Sequence, residues 1–318
     1  MPVLHLTESD VDQLLDMPTT IAVVEEAFRQ LAAGRADNVP RHRAHAKGIV
    51  LHSMSAAADY LGLVGWKQYT TTSAGAKFHV GVYDQATGNL LALIEADRLG
   101  QMRTGAVTGI AARVLANVGS EEVGLFGSGW QAESQLEAVA STCPIRQAFV
   151  YSRDVARRTA FAAKMTERLG IEVVAVADPR EAVESLPVVI TATASRVPVF
   201  DGNWLSSGAL VCAIGSNWKQ KAEIDVTTIR RSSLIVCDSV ECCQYEAGDF
   251  RAAIESGDFT WESARGLSSV LTDESMGRNS HDDIIIFKSV GMAIEDVAVA
   301  GKLVALAKQR GIGTTLPI

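Results

Sequence analysis

Cysteines, aromatic residues and long apolar runs are all sparse in this 318-residue chain, and each shortage argues against a class of protein. Five cysteines (Cys143, Cys212, Cys237, Cys242 and Cys243) form an odd set without metal-type spacing, which argues against a disulfide scaffold and against zinc. Cys143, Cys212 and Cys237 lie in or beside apolar runs, where a reduced thiol behaves as a small hydrophobe. Only the vicinal Cys242–Cys243 pair has a redox flavour, and the set as a whole fits a reducing, cytoplasmic compartment. His42, His45 and His52 are close in sequence but have no acid or cysteine at helpful spacing, so no metal is expected. Aromatics make up 6% of the chain, and a formal charge of −8 comes with scattered Lys and Arg. Neither nucleic acid nor an anionic membrane surface is therefore expected as a partner. No run approaches the roughly 18 apolar residues of a membrane span. The longest, around Pro187–Ala194 and Gly208–Gly215, have the length of buried strands, and no N-terminal segment joins a basic start to an apolar core.

What is present changes grammar along the chain. The first part reads as a strand at Val3–Leu6, a turn, and an amphipathic helix at Ile21–Ala33. Thr7 with Asp10, and Thr19 or Thr20, supply helix-start chemistry. From Arg43 to Glu95 the pattern is strand-like, with alternation in Gly48–Met54, Leu63–Thr70 and Phe78–Tyr83 and a hairpin turn at Thr87-Gly88-Asn89. Arg103-Thr104-Gly105 opens an Ala-rich helix to about Asn117. After Gly119, strands at 123–126, 148–151, 172–177, 188–192, 210–214, 234–238 and 284–287 alternate with helical segments. That alternation predicts an α/β domain built on a parallel doubly wound sheet.

Two features of that region point to a dinucleotide. Val123-Gly-Leu-Phe-Gly127-Ser-Gly129-Trp130-Gln131-Ala132 is a strand breaking into a G-x-G-x-x-A turn and a helix start. Gly127 permits the turn, Gly129 lets the backbone approach a pyrophosphate, and Ala132 allows close helix–strand packing. The helix N-terminus then faces the anion. The next strand ends in Tyr151-Ser152-Arg153-Asp154. A hydroxyl and a guanidinium at Ser152 and Arg153 suit a ribose 2′-phosphate, which favours NADP(H), while Asp154 keeps NAD(H) open.

Arg103-Thr104, the Gly127–Ala132 turn, Gly215-Ser216-Asn217 and Phe287–Asp296 recur in this order in one group. Across essentially its whole length the chain resembles the ornithine cyclodeaminase/μ-crystallin family, which also holds archaeal-type alanine dehydrogenases and cyclic ketimine reductases. The resemblance implies a Rossmann domain (residues 119–290) inserted in a second α+β domain (1–118 plus 291–318) that binds substrate and forms homodimers. It implies a cleft between the two for a small amino or imino acid, its carboxylate held by Lys67 and by Arg41 or Arg43. A guanidinium can grip a carboxylate with two parallel hydrogen bonds, and an ammonium adds a compact charge. Cofactor contacts are implied at Arg103 and Thr104, at the helix start, and at Trp130, Gln131, Thr193, Gly215 and Ser289.

Two departures from the cyclodeaminase pattern bear on activity. Asn217 stands where cyclodeaminases carry an aspartate used as general acid/base, and His52 stands where they carry a glutamate. An amide cannot accept and return a proton at neutral pH. The resemblance therefore implies an NAD(P)H-dependent reductase of a preformed cyclic imine, Δ1-pyrroline-2-carboxylate giving proline or its piperideine analogue giving pipecolate. Asn217, His52 or a water would assist at the ring nitrogen. Ornithine cyclodeamination, alanine dehydrogenation and non-catalytic NADPH binding are the rival implications.

Overall fold

A computed structural model describes residues 3–317. In chain order the first elements are β1 (Val3–Leu6), α1 (Glu8–Leu14), α2 (Met17–Ala32), β2 (Asp37–Ala46), β3 (Ile49–Ala58), β4 (Leu63–Thr72), β5 (Gly75–Asp84), β6 (Leu90–Glu95) and α3 (Asp97–Leu115). There follow β7 (Glu122–Phe126), α4 (Trp130–Thr142), β8 (Gln147–Tyr151), α5 (Val155–Leu169), β9 (Glu172–Ala175), β10 (Val188–Thr191) and β11 (Leu210–Ala213). The chain continues with α6 (Val226–Arg231), β12 (Leu234–Cys237), α7 (Val240–Glu246), α8 (Arg251–Glu255), β13 (Arg265–Gly266), α9 (Leu267–Thr272) and β14 (Ile285–Lys288). It closes with α10 (Ala293–Arg310) and β15 (Thr314–Leu316).

Two compact units emerge: Met1–Arg103 with Gly291–Ile318, and Thr104–Val290. The division falls inside α3, not after residue 118. The reason is local: a Cβ at Gly105 would lie 2.4 Å from the Ser134 carbonyl oxygen and one at Gly109 2.8 Å from that of Ala138. Only glycine lets α3 come this close to α4.

In the first unit the sheet order is β15-β1-β6-β5-β4-β3-β2, antiparallel except for the parallel β1–β6 pair. Helix α10 packs across β3, β4 and β5, and its first turns are almost wholly buried. Thr7 and Asp10 do form a capping box, but it opens the short helix α1 where a turn is expected. Helix α2 starts ahead of Thr19, because the Asp16 side chain accepts from the Thr19 amide and Pro18 fills the first turn. Strand β2 is an edge strand, and its register shifts between Val39 and His42, across Pro40. A proline without an N–H is tolerated at such a bulge.

In the second unit eight strands run β13-β12-β14-β11-β10-β7-β8-β9, all parallel. This is a doubly wound α/β sheet, with β10, β11 and β14 buried along their whole length. Strands buried on both faces read as unbroken apolar runs, which is how they appear in the sequence. In such sheets ligands sit beyond the carboxyl ends of the strands.

Candidate functional site

The first unit concentrates charge under the start of α10. Successive residues across the antiparallel strands fall in register, so Arg43, His52, Tyr69 and Phe78 form one row over β2, β3, β4 and β5. The rings stack: His52 on Tyr69 at 4.0 Å and Tyr69 on Phe78 at 4.7 Å between centroids. Lys67 lies two residues from Tyr69 on the same strand, hence on the same face. Its Nζ sits 5.2 Å from the Phe78 ring and 2.8 Å from Asp296 Oδ1. Arg103 reaches the same pair of acids, with Nη1 2.8 Å from Glu295 Oε2 and Nε 3.1 Å from Asp296 Oδ1. Arg41 is buried beside them, its guanidinium 5.9 Å from the Tyr69 ring and Nη2 donating to the Gly291 carbonyl at 3.4 Å. Gly291 has φ +80°, and a Cβ there would come within 2.5 Å of Arg103 Nη1. Gly100 likewise leaves room for Lys67 Nζ, 3.1 Å from its would-be Cβ.

Three cations thus face two carboxylates, a surplus of one positive charge among side chains that are almost fully buried. Burial pushes Lys67 down to about 8, with the Arg103 and Arg41 charges adding to it and Asp296 opposing. Burial also works against the Arg103 charge, but Asp296 and Glu295 outweigh it and raise its pKa. His52 is driven down to about 4 by burial and by Arg43 and Arg41, so its ring is neutral at pH 7. Arg43 Nε donates to its Nδ1 at 3.2 Å, which assigns the ring proton to Nε2, 3.1 Å from Thr71 Oγ1. Both nitrogens are engaged in the sheet, and His42 and His45 are exposed. The structure also separates the two arginines: Arg41 joins the Lys67 cluster and Arg43 joins His52.

Arg103-Thr104 does not open its helix. Helix α3 begins at Asp97, where Glu8 accepts from the Asp97 and Arg98 amides at 2.6 and 2.9 Å. Arg103 therefore sits in the second turn and is held by Glu295 and Asp296, not by helix-end N–H groups.

The second unit carries the glycine turn at the end of β7. Gly127 has φ +114°, and a Cβ there would lie 2.4 Å from the Ala192 carbonyl oxygen, so the turn hugs the end of β10. A Cβ at Gly129 would meet nothing within 4 Å, and no side chain caps α4 there. Trp130 is largely exposed and Gln131 half-buried in the first turn. An open glycine before an uncapped helix start is the shape a pyrophosphate requires, so these residues fit a dinucleotide. Ser128 Oγ lies 2.9 Å from Ser152 Oγ, linking the turn to the end of β8. Asp154, not Ser152, caps α5 by accepting from the Arg157 amide, while Arg153 is exposed. Arg158 packs over Tyr151 and donates to the Ser152 carbonyl at 2.7 Å.

Of the remaining residues singled out in the sequence, Thr193 and Gly215 bond to the Glu223 carboxylate, and Ser289 Oγ donates to Asp238 Oδ2 at 2.8 Å. Asn217 is half-buried on the loop after β11. Sequence reasoning passed over Glu295 and Asp296 as site residues, although two acids in a buried apolar helix start were a legible signal. It also passed over Tyr69, Ser128 and Glu223.

A family model described as the ornithine cyclodeaminase/mu-crystallin family matches residues 3–309. A Δ1-pyrroline-2-carboxylate reductase from Bacillus cereus is 28% identical over 323 residues, covering 98% of each chain. Among solved structures, Thermococcus litoralis Δ1-pyrroline-2-carboxylate reductase in complex with NADH and L-proline is similar with a TM-score of 0.95. It is 31% identical to this chain, of which it covers 99%, and all of that chain is covered in turn. An archaeal alanine dehydrogenase dimer with bound NAD gives a TM-score of 0.94 at 30% identity, with both chains covered completely.

Proposed function

The chain belongs to the ornithine cyclodeaminase/mu-crystallin family, and on that premise we propose that it is an NAD(P)H-dependent reductase of a small cyclic imino acid. The substrate of choice is Δ1-pyrroline-2-carboxylate, reduced to L-proline, with the six-membered piperideine analogue giving L-pipecolate. The observation that carries this reading is the full-length similarity to the Thermococcus litoralis enzyme, whose structure holds NADH and L-proline. The buried cluster of Arg41, Lys67 and Arg103 supports it, because one surplus positive charge suits one substrate carboxylate.

The roles divide by unit. Arg41 and Lys67 hold the carboxylate, and Asp296 and Glu295 fix the reach of Lys67 and Arg103. Gly127, Gly129, Trp130 and Gln131 form the pyrophosphate cradle, with Thr193, Gly215 and Ser289 after the ends of other strands of the same sheet. When bound, the reduced nicotinamide supplies the hydride for the imine carbon, and one proton completes the amine. His52 is poorly suited to deliver that proton, since its ring is neutral and both nitrogens are occupied. Asn217 orients the ring nitrogen or a water through its amide. An amide there also disfavours ornithine cyclodeamination.

We assign NADP(H) preference to the end of β8. Asp154 is committed to capping α5, so the position offered to the adenine ribose is Ser152, with Arg153 exposed next to it. The protein is expected to act as a homodimer in the cytoplasm, where its five cysteines, none in a disulfide, stay reduced. Purified protein mixed with NADPH or NADH and Δ1-pyrroline-2-carboxylate should consume absorbance at 340 nm and form proline. The similarity to alanine dehydrogenase makes pyruvate plus ammonia the necessary second arm. Turnover there, with none on the cyclic imine, would replace this assignment.

A further inference from the structure

We infer that Glu223 is a positioning residue whose buried carboxylate sets the carboxyl ends of β10 and β11 for coenzyme binding. The inference rests on the proposed coenzyme site and extends it to a residue that does not line the glycine turn.

The side chain is fully buried and each oxygen takes two hydrogen bonds. Oε1 accepts from the Thr193 amide at 2.7 Å and the Thr193 hydroxyl at 2.6 Å. Oε2 accepts from the Thr191 hydroxyl at 3.0 Å and the Gly215 amide at 2.6 Å. One carboxylate therefore gathers the end of β10 and the segments that follow β10 and β11, neighbouring strands of the parallel sheet. Gly215 has no space for a side chain: its Cβ would lie 2.3 Å from the Thr193 nitrogen and 2.5 Å from Glu223 Oε1. The carboxylate is itself anchored. Its own amide donates to Asp249 Oδ1 at 2.6 Å, and Asp249 Oδ2 pairs with Lys288 Nζ at 2.8 Å. Lys288, at the end of β14, donates to the Ser216 carbonyl at 2.8 Å. A buried chain of charge thus laces the ends of three adjacent strands, where an open α/β sheet binds its ligand.

The chemistry of the hub needs an anion. Four donors converge, and two of them are backbone N–H groups that cannot rotate away. A glutamine can accept at one oxygen only, and its NH2 would face a donor whichever way it is turned. Glu223→Gln therefore turns an NH2 against one backbone N–H, either that of Thr193 or that of Gly215, whose other acceptor is the Thr191 carbonyl at 3.2 Å, and loosens one segment from the other.

The test is coenzyme affinity, read by fluorescence titration of NADH and of NADPH, alongside the thermal midpoint. Wild-type protein should bind, and Glu223→Gln should weaken the Kd about tenfold while raising coenzyme KM more than it lowers kcat. Thr191→Val, which removes one donor at nearly constant volume, should weaken the Kd about threefold and decides the matter if the glutamine variant does not fold. A lower thermal midpoint with unchanged coenzyme Kd in the folded variants would make Glu223 merely structural and overturn the inference, leaving the coenzyme site standing. Failure of the wild-type protein to bind either coenzyme would overturn both.

Discussion

Replacing Lys67 with methionine removes the ammonium and keeps most of the stem. In the structure the cluster then falls from three cations against two carboxylates to two against two, so an arriving carboxylate meets no net charge. A unit charge about 5 Å away, at an effective dielectric near 20, is worth about 3 kcal/mol. A charge-assisted hydrogen bond lost from a binding site costs about 1.5–3 kcal/mol. At about 1.4 kcal/mol per decade, kcat/KM for Δ1-pyrroline-2-carboxylate should fall roughly 10- to 150-fold. Stability should suffer less than the about 3–5 kcal/mol typical of a broken buried pair, because Arg103 Nε still sits 3.1 Å from the abandoned Asp296 oxygen. Steady-state assays at saturating NADPH, with coenzyme titration as a control, give the readout. A kcat/KM within twofold of wild type would refute the carboxylate clamp, and a raised coenzyme Kd with normal imine KM would move Lys67 to the other ligand.

The lowered pKa of Lys67, about 8, has a consequence for pH. Above pH 8 the ammonium loses its proton, so the Ki of cyclopentanecarboxylate, an anion with no titrating nitrogen, should climb toward tenfold per pH unit, and Lys67→Arg should abolish the climb. The same group makes stability rise with pH between about 8 and 10.5, because there the unfolded chain holds a proton that the native chain does not; denaturant titrations across that window check the sign. Ser152→Asp places a carboxylate where a 2′-phosphate is proposed and should move the NADPH/NADH ratio of kcat/KM at least about tenfold toward NADH; an unchanged ratio removes the argument for NADP(H). Gly127→Ala must adopt φ +114° with its Cβ 2.4 Å from the Ala192 oxygen, so a lower thermal midpoint (about 1–3 kcal/mol) and loss of NADPH binding are expected.

The parallel sheet was legible because its strands are buried on both faces and run as short apolar blocks between helical segments, as in Val188–Thr191 and Leu210–Ala213. The first unit was legible only where alternation is clean. Strand β2 hid behind Pro40 and its polar exposed residues, since an edge strand at a bulge need not alternate. The start of α2 lies ahead of its sequence signal because Asp16 does the capping and the threonines that resemble caps lie inside the first turn. Helix α3 starts well before Arg103 for a related reason. Its cap is Glu8, which precedes Asp97 by most of the unit's sheet and carries no local signature.

The charged residues show the same limit more sharply. Lys67 and Arg103 could be named through the family resemblance, but what makes them usable is supplied by residues 229 and 192 positions away. An isolated buried ammonium would shed its proton, and an isolated buried carboxylate would take one up. Asp296 keeps Lys67 charged near neutral pH, and the surplus left after Glu295 and Asp296 are counted is one positive charge. Had three cations been buried without acids, folding would have opposed the site. Had three acids been present, the cluster would have no attraction for a carboxylate. The two acids at the start of α10 therefore do more than brace the helix. They tune the cluster to the charge of a monoanion, which predicts that Asp296→Asn, by withdrawing the group that raises the Lys67 pKa, should weaken carboxylate binding at pH 8 even as it adds formal positive charge. Tighter binding at that pH would show that the acids oppose the ligand instead of preparing the lysine for it.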